Sequence, residues 1–367
     1  MAGESSEIYK TLDLALRVGE LLLSSGAGAA DVSAQMGNVA RACGLRRFTA
    51  DVTFTELAMS HQTSADEPAL IQLRQVRYRA VDFGDLTLVD HLVRDLVAGR
   101  IDRDTAATRL NRIVSSGHAR PRWAVTLALG VMGAGIGLLL GGDWSVALIA
   151  FLGACGIDLT QAQMSARRWP NFYQQVAGGL VATLLAAGVA ASPIDLSPSR
   201  VITASIVLLL AGVSFLGAIQ DALTGFPLTS GARVLEATIA TAGAIAGVSG
   251  GLTLARLLHF GLGTLNPTSV HFAAQPMIAI GGAVTAMAYA YSAYVPARAL
   301  VPIGVIAAAA VSLYSLATVH RVGIAFASGI AAVVIGVVSF GVSGRAKVPA
   351  LVIVTAAIVP LLPGLSI

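Results

Sequence analysis

The chain has 367 residues, of which 55% are hydrophobic and only 12% charged, with a formal net charge of +4. Soluble domains carry roughly a quarter charged residues, so the composition excludes a wholly soluble globular protein. The charge is also unevenly spread. Residues 1–122 hold 15 of the 24 Lys and Arg and 15 of the 20 Asp and Glu, and the only later acids are Asp143, Asp158, Asp195, Asp221 and Glu236. This division predicts a small, charge-balanced N-terminal domain followed by a multi-pass membrane domain. The basic excess sits at arginines flanking apolar segments and carries no nucleic-acid footprint. Cys43 and Cys155 offer neither a disulfide framework nor metal spacing, and no cofactor is expected. The acidic start, Met-Ala-Gly-Glu-Ser-Ser-Glu, lacks the basic and apolar regions of a signal peptide, so the first domain is expected to stay in the cytosol.

In the first 118 residues, Ile8, Leu12, Ala15, Leu16, Leu22 and Leu23 recur at helical spacing over 7–25. A second helix is expected over 30–42, closed by Gly44. Two strand-like segments follow, 48–61 with Val52, Phe54 and Leu57, and 69–81 with Ile71, Leu73, Val76 and Tyr78. Helices over 86–98 and 102–114, the second opened by Asp102 as N-cap, complete a small α/β domain. Glu20, Ser24, Asp31, Asp51, His61 and His91 are the groups from which a hydrolytic site would be built, but no nucleophile elbow, metal spacing or phosphate loop organises them.

Nine apolar runs then follow: 123–141, 144–160, 172–191, 201–219, 234–258, 274–294, 300–317, 322–341 and one beginning near Leu351. Each reaches the length needed for a core about 30 Å thick at about 1.5 Å per residue, the last only just. With the N-terminal domain inside, Arg120, Arg122, Arg167, Arg168, Arg298, Arg345 and Lys347 fall on the cytoplasmic side, and only Arg200, Arg256 and Arg321 near outer ends, which is the positive-inside pattern. Small residues such as Gly130, Gly133, Gly135 and Gly137, and later Gly243, Gly247, Gly250 and Gly251, suit close helix packing.

The stretch 220–233, Gln-Asp-Ala-Leu-Thr-Gly-Phe-Pro-Leu-Thr-Ser-Gly-Ala-Arg, interrupts this apolar pattern. Gly225, Pro227 and Gly231 break the helix, and Gln220, Asp221, Thr224, Thr229, Ser230 and Arg233 are polar groups gathered at the break. Ionisable groups at a broken span are functional candidates by default. The ninth run ends in a second break, Val359-Pro360-Leu361-Leu362-Pro363-Gly364. The first half, residues 119–260, has five spans, so the second half, 261–367, enters from the opposite side. Breaks at corresponding places in inverted halves point to a transporter site between the repeats.

Three motifs in order carry a family resemblance. Residues 19–27, Gly-Glu-Leu-Leu-Leu-Ser-Ser-Gly-Ala, resemble the N-terminal region of the threonine/serine exporter family. Gln220-Asp221-Ala222-Leu223-Thr224-Gly225 with Thr229-Ser230-Gly231-Ala232-Arg233 resembles the mid-chain motif of its actinobacterial branch. Pro349-Ala350-Leu351 and residues 358–367 resemble the motif of its second half. Where family members continue with Tyr-Arg-Gly-Leu and a tenth span, this sequence stops at Ile367, so a second half lacking its last span is expected.

The resemblance implies a non-enzymatic secondary transporter of the cytoplasmic membrane. It would export small amino acids such as threonine and serine, driven by the proton motive force. Its partners would be the amino acid, protons and the lipid bilayer, with a homo-oligomer left open. Within it, Asp221 suits the substrate's ammonium group. Arg233, or backbone N–H groups near Thr229, suits the carboxylate, and Thr224, Thr229 and Ser230 a hydroxyl. Gln220, Gly225, Pro360, Pro363 and Gly364 complete the expected substrate site. Asp158, Asp221 and Glu236 are the carboxylates that could carry a coupled proton. Three other readings stay open: a dicarboxylate exporter with Arg167, Arg168 and Arg233 as anion receptors, a membrane-embedded hydrolase, and a non-transporting scaffold.

Overall fold

A computed structural model describes residues 2–64, 66–76, 79–191, 198–206, 209, 212–259, 275–320 and 323–362. The chain forms two compact units. The first comprises Met1–Ala119 together with Ser214–Leu235, and the second Arg120–Val213 with Glu236–Ile367.

In the first unit, α1 (Ala2–Ser24) and α2 (Ala29–Ala42) pack against a sheet and against α3 (Phe83–Val97), while α4 (Arg103–Ser116) packs on α1 and α3. The sheet has three antiparallel strands in the order β1 (Phe48–Val52), β2 (Glu56–His61) and β3 (Leu70–Gln75), with Val52 opposite Leu57 and His61 opposite Leu70. The single strand expected over 48–61 is therefore a hairpin. Thr53, Phe54 and Thr55 are strand-favouring residues that give no turn signal. The turn is closed instead by Thr53, whose N–H donates to Glu56 O at 2.9 Å and whose Oγ1 accepts from Glu56 N at 3.2 Å.

Alternate residues of β2 are buried, and Leu57 and Met59 are as fully enclosed as Leu12, Leu16, Met36 and Val39 of α1 and α2. This is the period-2 pattern of a strand covered on one face. Asp102 caps α4 as its position in the sequence suggests, accepting from Thr105 N at 3.1 Å, and Asp82 caps α3 through Asp85 N at 3.0 Å.

The second unit is helical. Six helices among the described residues are long and apolar enough to cross a membrane: α5 (Arg122–Leu139), α6 (Trp144–Ala166), α7 (Asn171–Ala190), α10 (Pro227–Leu257), α12 (Ala297–Val319) and α13 (Ile324–Ala346). The other helices are α8 (Pro198–Ile206), α9 (Gly212–Leu223), the 18-residue α11 (Gln275–Ser292) and α14 (Ala350–Ile358), the last running into a 3-10 turn, Val359–Leu361; residues 214–235 of α9 and α10 belong to the first unit. The described parts of the run expected as one span over 201–219 fall in α8 and α9. The span expected to begin at Val234 starts at Pro227, because proline's fixed φ and missing N–H suit the first helical position.

A packing pattern recurs in the second unit. α6 packs on α5 and α7, and the nine-residue α8 packs on all three. Likewise α12 packs on α11 and α13, and the nine-residue α14 packs on all three. The two sets join along α5 and α11, where a Cβ on Gly281 would lie 2.8 Å from Gly135 O and 2.9 Å from Leu139 N. The helix backbones touch there, as small residues permit. Met132, Ile136, Leu140, Ala150, Ala204 and Ala288 form one apolar cluster with Val359, so α8 and the turn after α14 share the same core. Residues 214–235, which hold the Gly225–Pro227 break, cluster with the first unit.

Candidate functional site

The Gly225 break is a built joint. α9 ends in a Schellman motif: Phe226 N–H donates to Asp221 O at 2.8 Å, and Gly225 N–H to Ala222 O at 3.3 Å. Gly225 takes φ +91°, a left-handed conformation that costs glycine little. Pro227 then opens α10. The Thr224 hydroxyl bonds back to Gln220 O at 2.9 Å and so closes the last turn of α9.

This joint positions Asp221 and Arg233 within the first unit. Asp221 is fully buried and Arg233 is 8% exposed. Asp221 Oδ1 accepts the Ala29 N–H at 2.8 Å. The N-cap of α2 is Gly28, which has no side chain to offer, so an acid 192 residues away caps that helix. A carboxylate at a helix N-terminus meets both the orphan N–H groups and the positive end of the dipole. Arg233 Nη2 donates to Ala27 O at 2.9 Å. Arg233 Nε and Asp221 Oδ2 lie 3.1 Å apart as an ion pair without an aligned hydrogen bond, and neither atom has another hydrogen-bond partner among the described residues. Gly217 keeps this space open, since a Cβ there would come within 2.5 Å of Arg233 Nη1. Asp31, in the first turn of α2, has its carboxyl raised above the usual range, first by burial and then by the Asp221 charge.

The other expected residues divide by unit. Thr229 is buried in the joint and its hydroxyl donates to Val52 O at 3.4 Å, a long bond; Ser230 is buried and Gln220 half-buried. Pro360 is buried and belongs to the second unit, while Asp221 belongs to the first. Pro363 and Gly364 lie outside the described residues. Glu236 is exposed.

Asp158 lies in α6 and is buried. It is 7% exposed, with Oδ1 accepting from Arg122 Nη2 at 2.6 Å and Oδ2 from the Thr126 hydroxyl at 2.7 Å. Both partners lie on α5, one turn apart, and both carboxylate oxygens are satisfied in an apolar setting.

The residues suggested for a hydrolytic site are engaged separately. Glu20 pairs with Arg74, the Ser24 hydroxyl donates to Leu21 O, and Asp51 accepts from its neighbour Val52 N. Groups of three or more His, Cys, Asp or Glu able to hold a metal are absent among the described residues.

Sequence reasoning missed the backbone of 27–29 as the partner of Asp221 and Arg233. One signal pointed there: Gly26-Ala27-Gly28 precedes α2 with no Ser, Thr, Asp or Asn at the cap, so the cap had to come from elsewhere.

Comparison with known proteins gives the same answer over both units. The family model "Putative threonine/serine exporter" matches residues 13–255, and "Threonine/Serine exporter, ThrE" matches residues 278–367. The chain is 31% identical over 371 residues to the "Threonine/serine exporter" of Corynebacterium glutamicum, covering 99% of itself and 76% of that relative. It is 33% identical over 367 residues to the "Probable threonine/serine exporter" of Mycobacterium tuberculosis, covering 98% of itself and 69% of that protein. A more distant relative, 24% identical over 242 residues (66% of this chain and 93% of the other), is the "Probable succinate transporter subunit YjjP" of Escherichia coli. No solved structure matches. With two family models covering both units and full-chain similarity to named exporters, the chain belongs to the threonine/serine exporter family.

Proposed function

We propose that this chain exports threonine and serine from the cytosol, driven by the proton motive force, and that Asp221 and Arg233 receive the two charged ends of the amino acid. The observation that carries the reading is a buried carboxylate and a buried guanidinium 3.1 Å apart at a helix joint, in a member of an exporter family. A zwitterion presents an ammonium and a carboxylate a few bonds apart, and this pair offers the complementary charges. Burial strengthens both interactions relative to water. The N-terminal unit faces the cytosol in this reading, supported by the arginine-rich short loops on its side of the membrane. Asp158 carries the coupled proton: a carboxylate held by one guanidinium and one hydroxyl can exchange that pairing for a proton as the helices move.

The test is efflux of preloaded radiolabelled threonine from proteoliposomes with and without an imposed pH gradient. Gradient-dependent efflux in the wild type that is lost in Asp221→Asn supports the reading; equal efflux from both variants refutes the assignment of Asp221. A second cargo is favoured by one observation, the similarity to a relative named as a succinate transporter subunit. Counterflow of labelled succinate against labelled threonine separates the two cargos.

A further inference from the structure

We infer that the link between α1 and α2 is a tethered mimic of the substrate, occupying the Asp221–Arg233 receptor and holding the exporter shut until a cytosolic amino acid displaces it. This rests on the reading of Asp221 and Arg233 as the substrate receptor.

The mimicry lies in the chemistry of three residues. Ala29 presents an N–H to Asp221 Oδ1 at 2.8 Å, where an ammonium group would donate. Ala27 presents a carbonyl oxygen to Arg233 Nη2 at 2.9 Å, where a carboxylate would accept. A donor and an acceptor two residues apart in the chain thus fill the positions of the two ends of a free amino acid. The residue between them is Gly28, whose missing side chain fits the tight space: a Cβ would lie 3.3 Å from Gln220 Nε2 and 3.4 Å from Asp221 Oδ1.

The occupancy is incomplete in a way that favours exchange. Asp221 Oδ2 and Arg233 Nε, both buried, face each other as the 3.1 Å ion pair and make no aligned hydrogen bond among the described residues. The backbone offers Asp221 one neutral N–H, and a free ammonium offers three charged donors. It offers Arg233 one neutral carbonyl, and a free carboxylate can take a bidentate, charged pairing. The amino acid therefore binds the same two groups more strongly per contact, while the tethered backbone competes through its high effective concentration.

Two measurements on the full chain test the inference. Saturating threonine should speed amide hydrogen exchange over residues 27–31 of the wild-type protein at least tenfold, because the displaced Ala29 N–H loses its acceptor. Ala29→Pro removes that N–H while proline suits the first position of α2, so in proteoliposomes the threonine concentration for half-maximal efflux should fall at least threefold. Exchange that threonine leaves unchanged or slows, in a protein that exports it, overturns the inference and leaves the exporter reading intact. So does a half-maximal concentration that is unchanged or raised in Ala29→Pro. Absence of threonine efflux from the wild-type chain overturns the exporter reading and this inference with it.

Discussion

The Asp221–Arg233 pair allows the strongest quantitative prediction. At 3.1 Å, and with the effective dielectric constant of about 20 that describes sites near a protein surface, two unit charges attract by roughly 5 kcal/mol before desolvation is subtracted. The net worth of the pair is smaller. Removing one partner, however, strands the other charge in a site where Asp221 is 0% and Arg233 8% exposed, and such changes cost about 3–5 kcal/mol. Asp221→Asn is the informative substitution because an asparagine oxygen still caps the Ala29 N–H, so the loss isolates the charge. At about 1.4 kcal/mol per tenfold, opening of the α2 N-terminus should become at least 100-fold more frequent.

Amide hydrogen exchange over residues 27–36 of the detergent-solubilised full chain reads that opening directly. Arg233→Gln should have a comparable effect. The double variant Asp221→Asn/Arg233→Gln should be less disturbed than the sum of the two, with a coupling of about 2–3 kcal/mol. Changes of less than threefold in either single variant, or strict additivity in the double, refute the claim that this pair holds the joint.

Three further outcomes follow from the geometry. Gly281→Ala should lower the thermal midpoint, since its Cβ meets backbone atoms of α5 at 2.8 and 2.9 Å and overpacking costs about 1–3 kcal/mol; Gly344→Ala, with nothing within 4 Å of its Cβ, should leave it unchanged or raise it. Asp85 is pushed up to about 6, first by burial and then by the Asp82 carboxylate, with His118 opposing. The folded chain then binds this proton more tightly than the unfolded chain, so stability falls as pH rises from about 4 through 6. Asp85→Asn should therefore stabilise the protein at pH 7.5 and not at pH 4, by about 1 kcal/mol after solvent screening, as read by thermal unfolding at both pH values. Finally, Asp158→Asn should abolish the response of efflux to a pH gradient while sparing threonine counterflow, and a gradient response that persists assigns the proton to another group.

How much of this was legible beforehand depends on the range of the interaction. Some helix ends were readable because they are local: Asp102 caps its own helix and Gly225 ends α9, each through atoms within five residues, whereas α10 starts at Pro227, ahead of the expected Val234, and runs through Gly231. The multi-pass character was readable because apolar length is a one-dimensional property. The hairpin at 53–55 was not, since its turn uses a threonine hydroxyl in place of glycine or asparagine. Asp221 and Arg233 stood out as ionisable residues at a broken span, a local signal.

Their partners did not stand out. The Ala29 N–H and the Ala27 carbonyl are backbone groups, identical at every position in the chain, and only the fold brings them across 192 and 206 residues to these two side chains. The same holds for Asp158, a proton-carrier candidate by sequence whose partners Arg122 and Thr126 lie on another helix, α5. Residue type and spacing thus determined where the chain crosses apolar surroundings, where it bends and which charges are exceptional. The tertiary structure alone decided what those charges touch, because a buried charge is satisfied by the nearest donor or acceptor in space, whatever its distance along the chain.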